Sequence, residues 1–164
     1  MRASRAGRFA AAMGAVAVLL AAWTAPAGAA KAPNPCKLLK ASEISGEFGG
    51  ATVAAPSAGI KTAVSTSCSW DVAASATLPD GTVTASVMFV GGKAAYNGLE
   101  KTGQYAPVDG LKGGLYQDTT GALSVLDGAN LVTVQGVFLE GPPIKKVDVL
   151  EQLIPLSKLA TKRA

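Results

Sequence analysis

The side chains that most often carry enzyme chemistry are scarce in this chain. It contains no histidine, which is the usual general base beside a serine or cysteine nucleophile and the commonest metal ligand. It also has no Ser-x-x-Lys motif and no Gly-x-Ser-x-Gly nucleophile elbow, although a serine-lysine pair assembled by folding stays open. From residue types alone we predict no catalytic residue, no metal and no cofactor.

Carboxylates are the remaining candidates for chemistry, because two of them about 5 to 9.5 Å apart can hydrolyse a glycosidic bond. Asp80, Asp109 and Asp127 each precede a glycine, a pattern typical of turns in which the aspartate bonds the local backbone. Asp71, directly after Trp70, has the least ordinary setting. We interpret the Asp-Gly pairs as turns and keep a two-carboxylate hydrolase as an alternative.

Three tyrosines and one lysine give a weak indication of a binding surface. Tyr96, Tyr105 and Tyr116 offer large contact areas with a polar hydroxyl, and Lys112 lies in the glycine-rich stretch 110–114. Together these residues could grip a glycan, a peptide or a hydrophobic ligand. The competing interpretation is that the tyrosines close the edge of a small hydrophobic core.

The chain has two cysteines, Cys36 and Cys68, and we predict that they form a disulfide. Closing a loop of about 33 residues removes unfolded-state entropy worth roughly 3 to 4 kcal/mol. Strand alternation places Trp70 on the same face as Cys68, so we expect the indole to pack on the disulfide. This interpretation makes residues 66–70 a structural crosslink and not a reactive site.

Residues 1–30 have the composition of a secretory signal peptide, with arginines before an apolar run and small residues after it. The apolar run is too short to span a bilayer comfortably. Cys36 lies too far beyond it for lipid attachment. We therefore expect a secreted chain with no stable membrane span and no lipid anchor.

The predicted mature chain, residues 31–164, has the size of one domain and is expected to be a monomer. It keeps 12 basic and 11 acidic residues, a formal net charge of +1. Such a balance provides no overall basic footprint, so neither nucleic acid nor an anionic membrane surface is an expected partner.

Periodicity along the mature chain predicts the order helix, strands, helix, strands, helix. In the strand at residues 82–90, Val83, Ala85 and Val87 alternate with polar residues, so one face should meet a core. Further signals are an N-cap at Ser42, hairpin turns at 80–81 and 127–130, and an amphipathic helix from residue 144 that Pro155 kinks or restarts.

Two cysteine segments also carry a family resemblance. Residues 34–39 read Asn-Pro-Cys-Lys-Leu-Leu, and residues 67–70 read Ser-Cys-Ser-Trp. This pattern resembles an actinobacterial family of small secreted proteins and lipoproteins of unknown function, in which a Pro-Cys-x-Leu-Leu segment precedes a Cys-x-Trp segment. The resemblance implies an extracytoplasmic α+β domain with a cysteine bridge and supplies no catalytic residue. Many members carry a lipid-anchoring cysteine, whereas we expect none in this chain.

The predicted fold is α+β: an antiparallel meander sheet flanked by an N-terminal and a C-terminal helix and held by one disulfide. A PsbP-like topology is one arrangement that fits this expectation.

The predicted function is a non-enzymatic binding or accessory module of the cell envelope, with an unidentified ligand or protein partner. The alternatives are a hydrolase of the two-carboxylate or serine-lysine type, or an inhibitor of a secreted hydrolase.

Overall fold

The computed structural model describes residues 32–139 and 149–164. The predicted signal peptide, residues 1–30, and the start of the predicted last helix, residues 144–148, lie outside the described residues. The described elements are a 3-10 turn at Pro35–Lys37, α1 at Ala41–Glu47, β1 at Ser57–Lys61, β2 at Ser65–Val72, β3 at Gly81–Met88, α2 at Gly92–Lys101, β4 at Ala106–Pro107, β5 at Gly114–Gln117, β6 at Ala122–Asp127, β7 at Asn130–Phe138 and α3 at Leu150–Arg163.

The strands of the described part form one antiparallel sheet in the order β1-β2-β3-β7-β6-β5-β4. Strands β1 to β3 make one meander and β4 to β7 make a second, with α2 between them in the chain. β7 pairs with β3 from Gly81 opposite Phe138 to Met88 opposite Leu131, which joins the two meanders. The predicted α+β fold with an antiparallel sheet, helices and one disulfide is therefore confirmed.

The hydrophobic core lies between one face of the sheet and the helices α1 and α3. Alternation puts Trp70, Val83 and Val134 on this inner face, and all three are fully buried. Leu153 and Leu156 of α3 are equally buried on the opposite side of the core. The predicted inward face of β3 is confirmed, because Val83, Ala85 and Val87 are completely inaccessible to solvent.

In the described part of the chain, a helix covers one end of the outer face of the sheet and leaves the other end open. Helix α2 contacts β6 and β7, and Ser124 and Leu131 are buried on this face. Over β2 and β3 the outward side chains are mostly hydroxyls, such as the Ser69 and Thr84 pair with their oxygens 3.0 Å apart. An antiparallel sheet with one half-open face accounts for this polar alternation.

The Cys36–Cys68 disulfide joins the 3-10 turn to the middle of β2, with the two Cα atoms 5.1 Å apart. Cys68 is fully buried, and Trp70 two residues later lies on the same face, as predicted. The crosslink therefore attaches the N-terminal segment to the centre of the sheet.

Local details differ from prediction at the ends of elements. The N-cap of α1 is Lys40 and not Ser42, because the Glu43 carboxylate accepts the Lys40 backbone N–H at 2.8 Å. The 80–81 pair ends a loop of residues 73–80 and does not form a tight hairpin turn. The turn at 127–130 is confirmed, since Asp127 pairs with Asn130 around Gly128, whose φ is 58°.

Pro155 is the sixth residue of α3 and neither ends the helix nor starts it. The fixed φ of proline is compatible with helical backbone. Because proline has no backbone N–H, α3 lacks one helical hydrogen bond at this position. In the described ranges, no helix has the length and apolar character that crossing a bilayer requires.

Candidate functional site

The structure does not gather the predicted tyrosine surface into one place. Tyr116 lies on the inner face of β5 opposite Leu123 and is buried in the core. Tyr96 lies on α2, which covers the outer face. Tyr105 is half-buried just before β4. Tyr96 and Tyr116 are thus separated by the sheet. Tyr116 belongs to the hydrophobic core, in line with the competing interpretation that the tyrosines close the edge of a small core.

Tyr96 has an acidic neighbour on its own helix. Glu100 follows it by four residues and so lies on the same face of α2. Partial burial raises the pKa of Tyr96, and the negative charge of Glu100 raises it further. The phenol therefore stays protonated at neutral pH.

Lys112, the fourth predicted residue, lines an open cavity of about 660 Å³. Two further lysines line the same cavity, Lys158 and Lys162 of α3. We call it the lysine cavity; its other lining residues are Leu111, Gly113, Val125, Leu126, Asp127 and Thr161. The cavity lies between the β4–β5 loop and β6 on one side and α3 on the other.

Two consecutive turns hold Lys112 at the cavity. The Leu111 N–H donates to Val108 O at 3.3 Å, and the Gly114 N–H donates to Leu111 O at 2.9 Å. Gly113 has a φ of 68°, a left-handed conformation that glycine adopts without steric cost. The Leu126 N–H then donates to Gly113 O at 3.1 Å. The loop is fastened to β6, so the position of Lys112 is defined.

Helix α3 presents its two lysines because of their spacing. Lys158 and Lys162 are four residues apart and therefore share one face of the helix. Leu156 and Ala160 face the core and are fully buried. Packing of the apolar face leaves the lysine face exposed along the cavity, while Lys162 also suits the negative end of the helix dipole.

The charges in the lysine cavity are unbalanced. Three lysines and one acidic residue, Asp127, are among the residues that line it. Within residues 32–139 and 149–164, none of these four groups has an ion-pair partner within 4 Å. Arg163 follows Lys162 in the chain but points elsewhere, since it pairs with Glu43. The cavity can therefore attract an anion while each lysine keeps its hydrogen-bond donors free.

Sequence reasoning singled out Lys112 and missed Lys158 and Lys162. A usable signal was present, because no acidic residue stands three or four positions from either lysine of α3. Two adjacent lysines on one helix face with no acidic neighbour repel each other unless an external anion balances them.

A second open pocket, of about 540 Å³, contains Asp71 and Asp80 beside the exposed apolar side chains of Val137 and Leu139. Asp80 accepts the Ala74 N–H at 2.6 Å. The Thr82 hydroxyl donates to Asp71 at 3.4 Å. Both carboxylates thus have structural partners, and Asp80 closes its own loop as its Asp-Gly context indicates.

No protein-family model, curated protein or solved structure matches this chain. The actinobacterial family resemblance and the PsbP-like topology therefore stay predictions. Among the described residues, no cluster of three or more histidine, cysteine, aspartate or glutamate side chains is arranged to hold a metal ion.

Proposed function

We propose that this protein is a secreted, non-enzymatic binding or accessory module of the cell envelope that takes an anionic ligand in the lysine cavity. The observation that carries the proposal is the convergence of Lys112, Lys158 and Lys162 from two separate elements on one concavity. Its volume of about 660 Å³ falls within the range typical of ligand sites.

Two further observations support the proposal. The Cys36–Cys68 disulfide suits an oxidising compartment such as the cell exterior. The ammonium groups are exposed, so their pairing with a ligand would leave the packing of α3 unchanged. An accessory module that recognises charge needs no catalytic group, in keeping with the lack of histidine.

The direct test is binding of the purified mature protein to a panel of soluble polyanions by isothermal titration calorimetry. Binding to at least one member should weaken about tenfold or more in a Lys112→Gln/Lys158→Gln/Lys162→Gln variant, because each lysine donates charged hydrogen bonds. The matched control is Lys37→Gln/Lys93→Gln/Lys101→Gln, which removes the same charge from exposed lysines outside the cavity. Equal weakening in both variants would contradict a defined site.

A two-carboxylate hydrolase is the second candidate. One observation favours it: Asp71 lies opposite Thr82 in the β2–β3 register, and Asp80 precedes Thr82 by two residues, so both aspartates line one pocket. Release of reducing sugar from a wall glycan by the pure protein, abolished by Asp71→Asn or Asp80→Asn, would replace the non-enzymatic proposal with this one.

A further inference from the structure

We infer that the anionic ligand is a phosphodiester-linked polyol or sugar chain, bound by the three lysines, with Asp127 accepting a hydrogen bond from one of its hydroxyls. This inference rests on the proposed function, because it names the ligand of the same cavity. It follows from the kind of cation present, the shape of the cavity and the position of one carboxylate.

The cations of the cavity are all lysines. The planar, two-pronged guanidinium of arginine matches both carboxylate and phosphate, whereas a lysine ammonium binds phosphate oxygens as a compact point charge. The arginine of the described chain, Arg163, is occupied by Glu43. Three separate point charges suit an anion whose acceptor oxygens point in several directions, and the tetrahedral oxygens of a phosphate group offer more such directions than a planar carboxylate.

The shape of the cavity favours a chain over a small free ion. Lys158 and Lys162 are four residues apart along α3, which separates them by about 6 Å along the helix axis, and Lys112 lies on the opposite wall. A single phosphate leaves most of about 660 Å³ unfilled. Because the cavity is open to solvent, a chain longer than one phosphate group can occupy it while the rest of the chain stays outside.

Asp127 disfavours the binding of a polyanion that carries no hydroxyl groups. Its carboxylate lines the same cavity, is exposed, and has no hydrogen-bond or ion-pair partner in the described part of the chain. Inorganic polyphosphate would bring negative oxygens towards it and be repelled. A chain that carries hydroxyl groups between its phosphates can instead donate a hydrogen bond to Asp127.

A membrane surface fits the cavity less well. The large apolar side chains that the described residues expose are Ile60, Val64, Val90, Val137 and Leu139. None of them lines the lysine cavity, so no side chain there is available to insert among lipid tails. Lys112 lies on the β4–β5 loop and Lys158 and Lys162 lie on α3, at two sides of a concavity, so a flexible chain can contact all three more readily than a flat bilayer surface can.

The experiment compares the affinity of the mature protein for four probes at one ionic strength. These are synthetic poly(glycerol phosphate), inorganic polyphosphate, polygalacturonate as a carboxylate polymer, and vesicles containing phosphatidylglycerol. We expect poly(glycerol phosphate) to bind at least about tenfold more tightly than polygalacturonate, and Lys158→Gln/Lys162→Gln to weaken it about tenfold or more. Lys93→Gln/Lys101→Gln, on α2, should leave the affinity unchanged.

The Asp127→Asn variant tests the selectivity. It should strengthen binding of polyphosphate and reduce the preference for poly(glycerol phosphate), since it removes the repulsion and weakens the hydroxyl contact. An unchanged preference in this variant overturns the role of Asp127. Unaltered melting temperatures would establish that the exposed substitutions leave the fold intact.

The probes also separate this inference from the proposed function. Equal affinity for polygalacturonate and poly(glycerol phosphate), still sensitive to the lysine variants, overturns the phosphate assignment and leaves the anion-binding module standing. Tightest binding to vesicles overturns the polymer assignment. Absence of binding to every probe overturns both proposals.

Discussion

At the level of single residues, Glu43 connects three parts of the chain. Its carboxylate accepts two hydrogen bonds from Arg163, at 2.6 and 2.8 Å, and one from the Lys40 backbone at 2.8 Å. The same guanidinium donates to Leu38 O at 2.9 Å. The end of α3 is thereby fastened to the start of α1. Hydrogen bonding from Arg163 and Lys40 lowers the pKa of Glu43 to about 2 against an opposing effect of burial.

The lowered pKa predicts a pH dependence of stability. Glu43 ionises near pH 4.3 in the unfolded chain and near 2 in the folded one, so its contribution is complete above the unfolded value and disappears as pH falls through the folded value. Glu43→Gln should lower the free energy of unfolding by about 1 kcal/mol at pH 7. In urea titrations the difference from wild type should shrink as pH falls from about 4 and should vanish below the folded pKa of about 2.

Glu47→Gln is the matched control for this prediction, since Glu47 is an exposed carboxylate on the same helix. It should change stability little at any pH. A Glu43→Gln deficit that persists undiminished at pH 2 would show that the lost stability does not come from the ionised carboxylate.

At the level of elements, the docking of α2 depends on the small size of Gly92. A Cβ placed there would come within 2.5 Å of Ala129 O and Leu131 N, both backbone atoms of the β6–β7 hairpin. The start of the helix can lie against the hairpin because no side chain intervenes. Gly98 of the same helix has nothing within 4 Å of such a Cβ.

These two glycines give a prediction with an internal control. Gly92→Ala should destabilise the protein by about 2 kcal/mol, because the hairpin backbone cannot yield without strain. Gly98→Ala should stabilise it by up to about 1 kcal/mol, because alanine favours a helix interior. The measurement is the urea midpoint of each variant, and two changes of the same sign would contradict the packing described for α2.

At the level of the whole molecule, the disulfide and the lysine cavity occupy different parts of the sheet. Cys68 lies in β2, near one edge, whereas the cavity adjoins β6 and the β4–β5 loop, near the other. We therefore expect that removal of the disulfide lowers the stability of the fold without changing ligand binding by the lysines.

A Cys36→Ala/Cys68→Ala variant tests this separation. Its free energy of unfolding should fall by roughly 3 kcal/mol, since the unfolded chain regains the entropy of a loop of about 33 residues. Binding of poly(glycerol phosphate) should stay unchanged. Reduced wild-type protein provides the control and should show the same loss of stability. A variant that remains folded but no longer binds would mean that the cysteines belong to the site.

Much of the fold was predictable because its signals are local. Alternation along β3 predicted the buried side chains of Val83, Ala85 and Val87, and the Asp-Gly signal predicted the turn at 127–130. The helix start at Ser42 was predicted wrongly, because Lys40 can serve as N-cap when Glu43 reaches back to its backbone N–H.

Local patterns in the sequence predict the order of elements and the buried faces of the strands, because these depend on near neighbours, and the pairing of the two cysteines follows from the absence of a third. Folding in three dimensions sets which strands meet between the two meanders and which charged residues come together. A net charge of +1 for residues 31–164 conceals three lysines around one cavity. Lys112 lines the same cavity as Lys158 and Lys162 because β5 and β6 lie side by side and α3 packs across the sheet. No local sequence pattern encodes such a long-range arrangement.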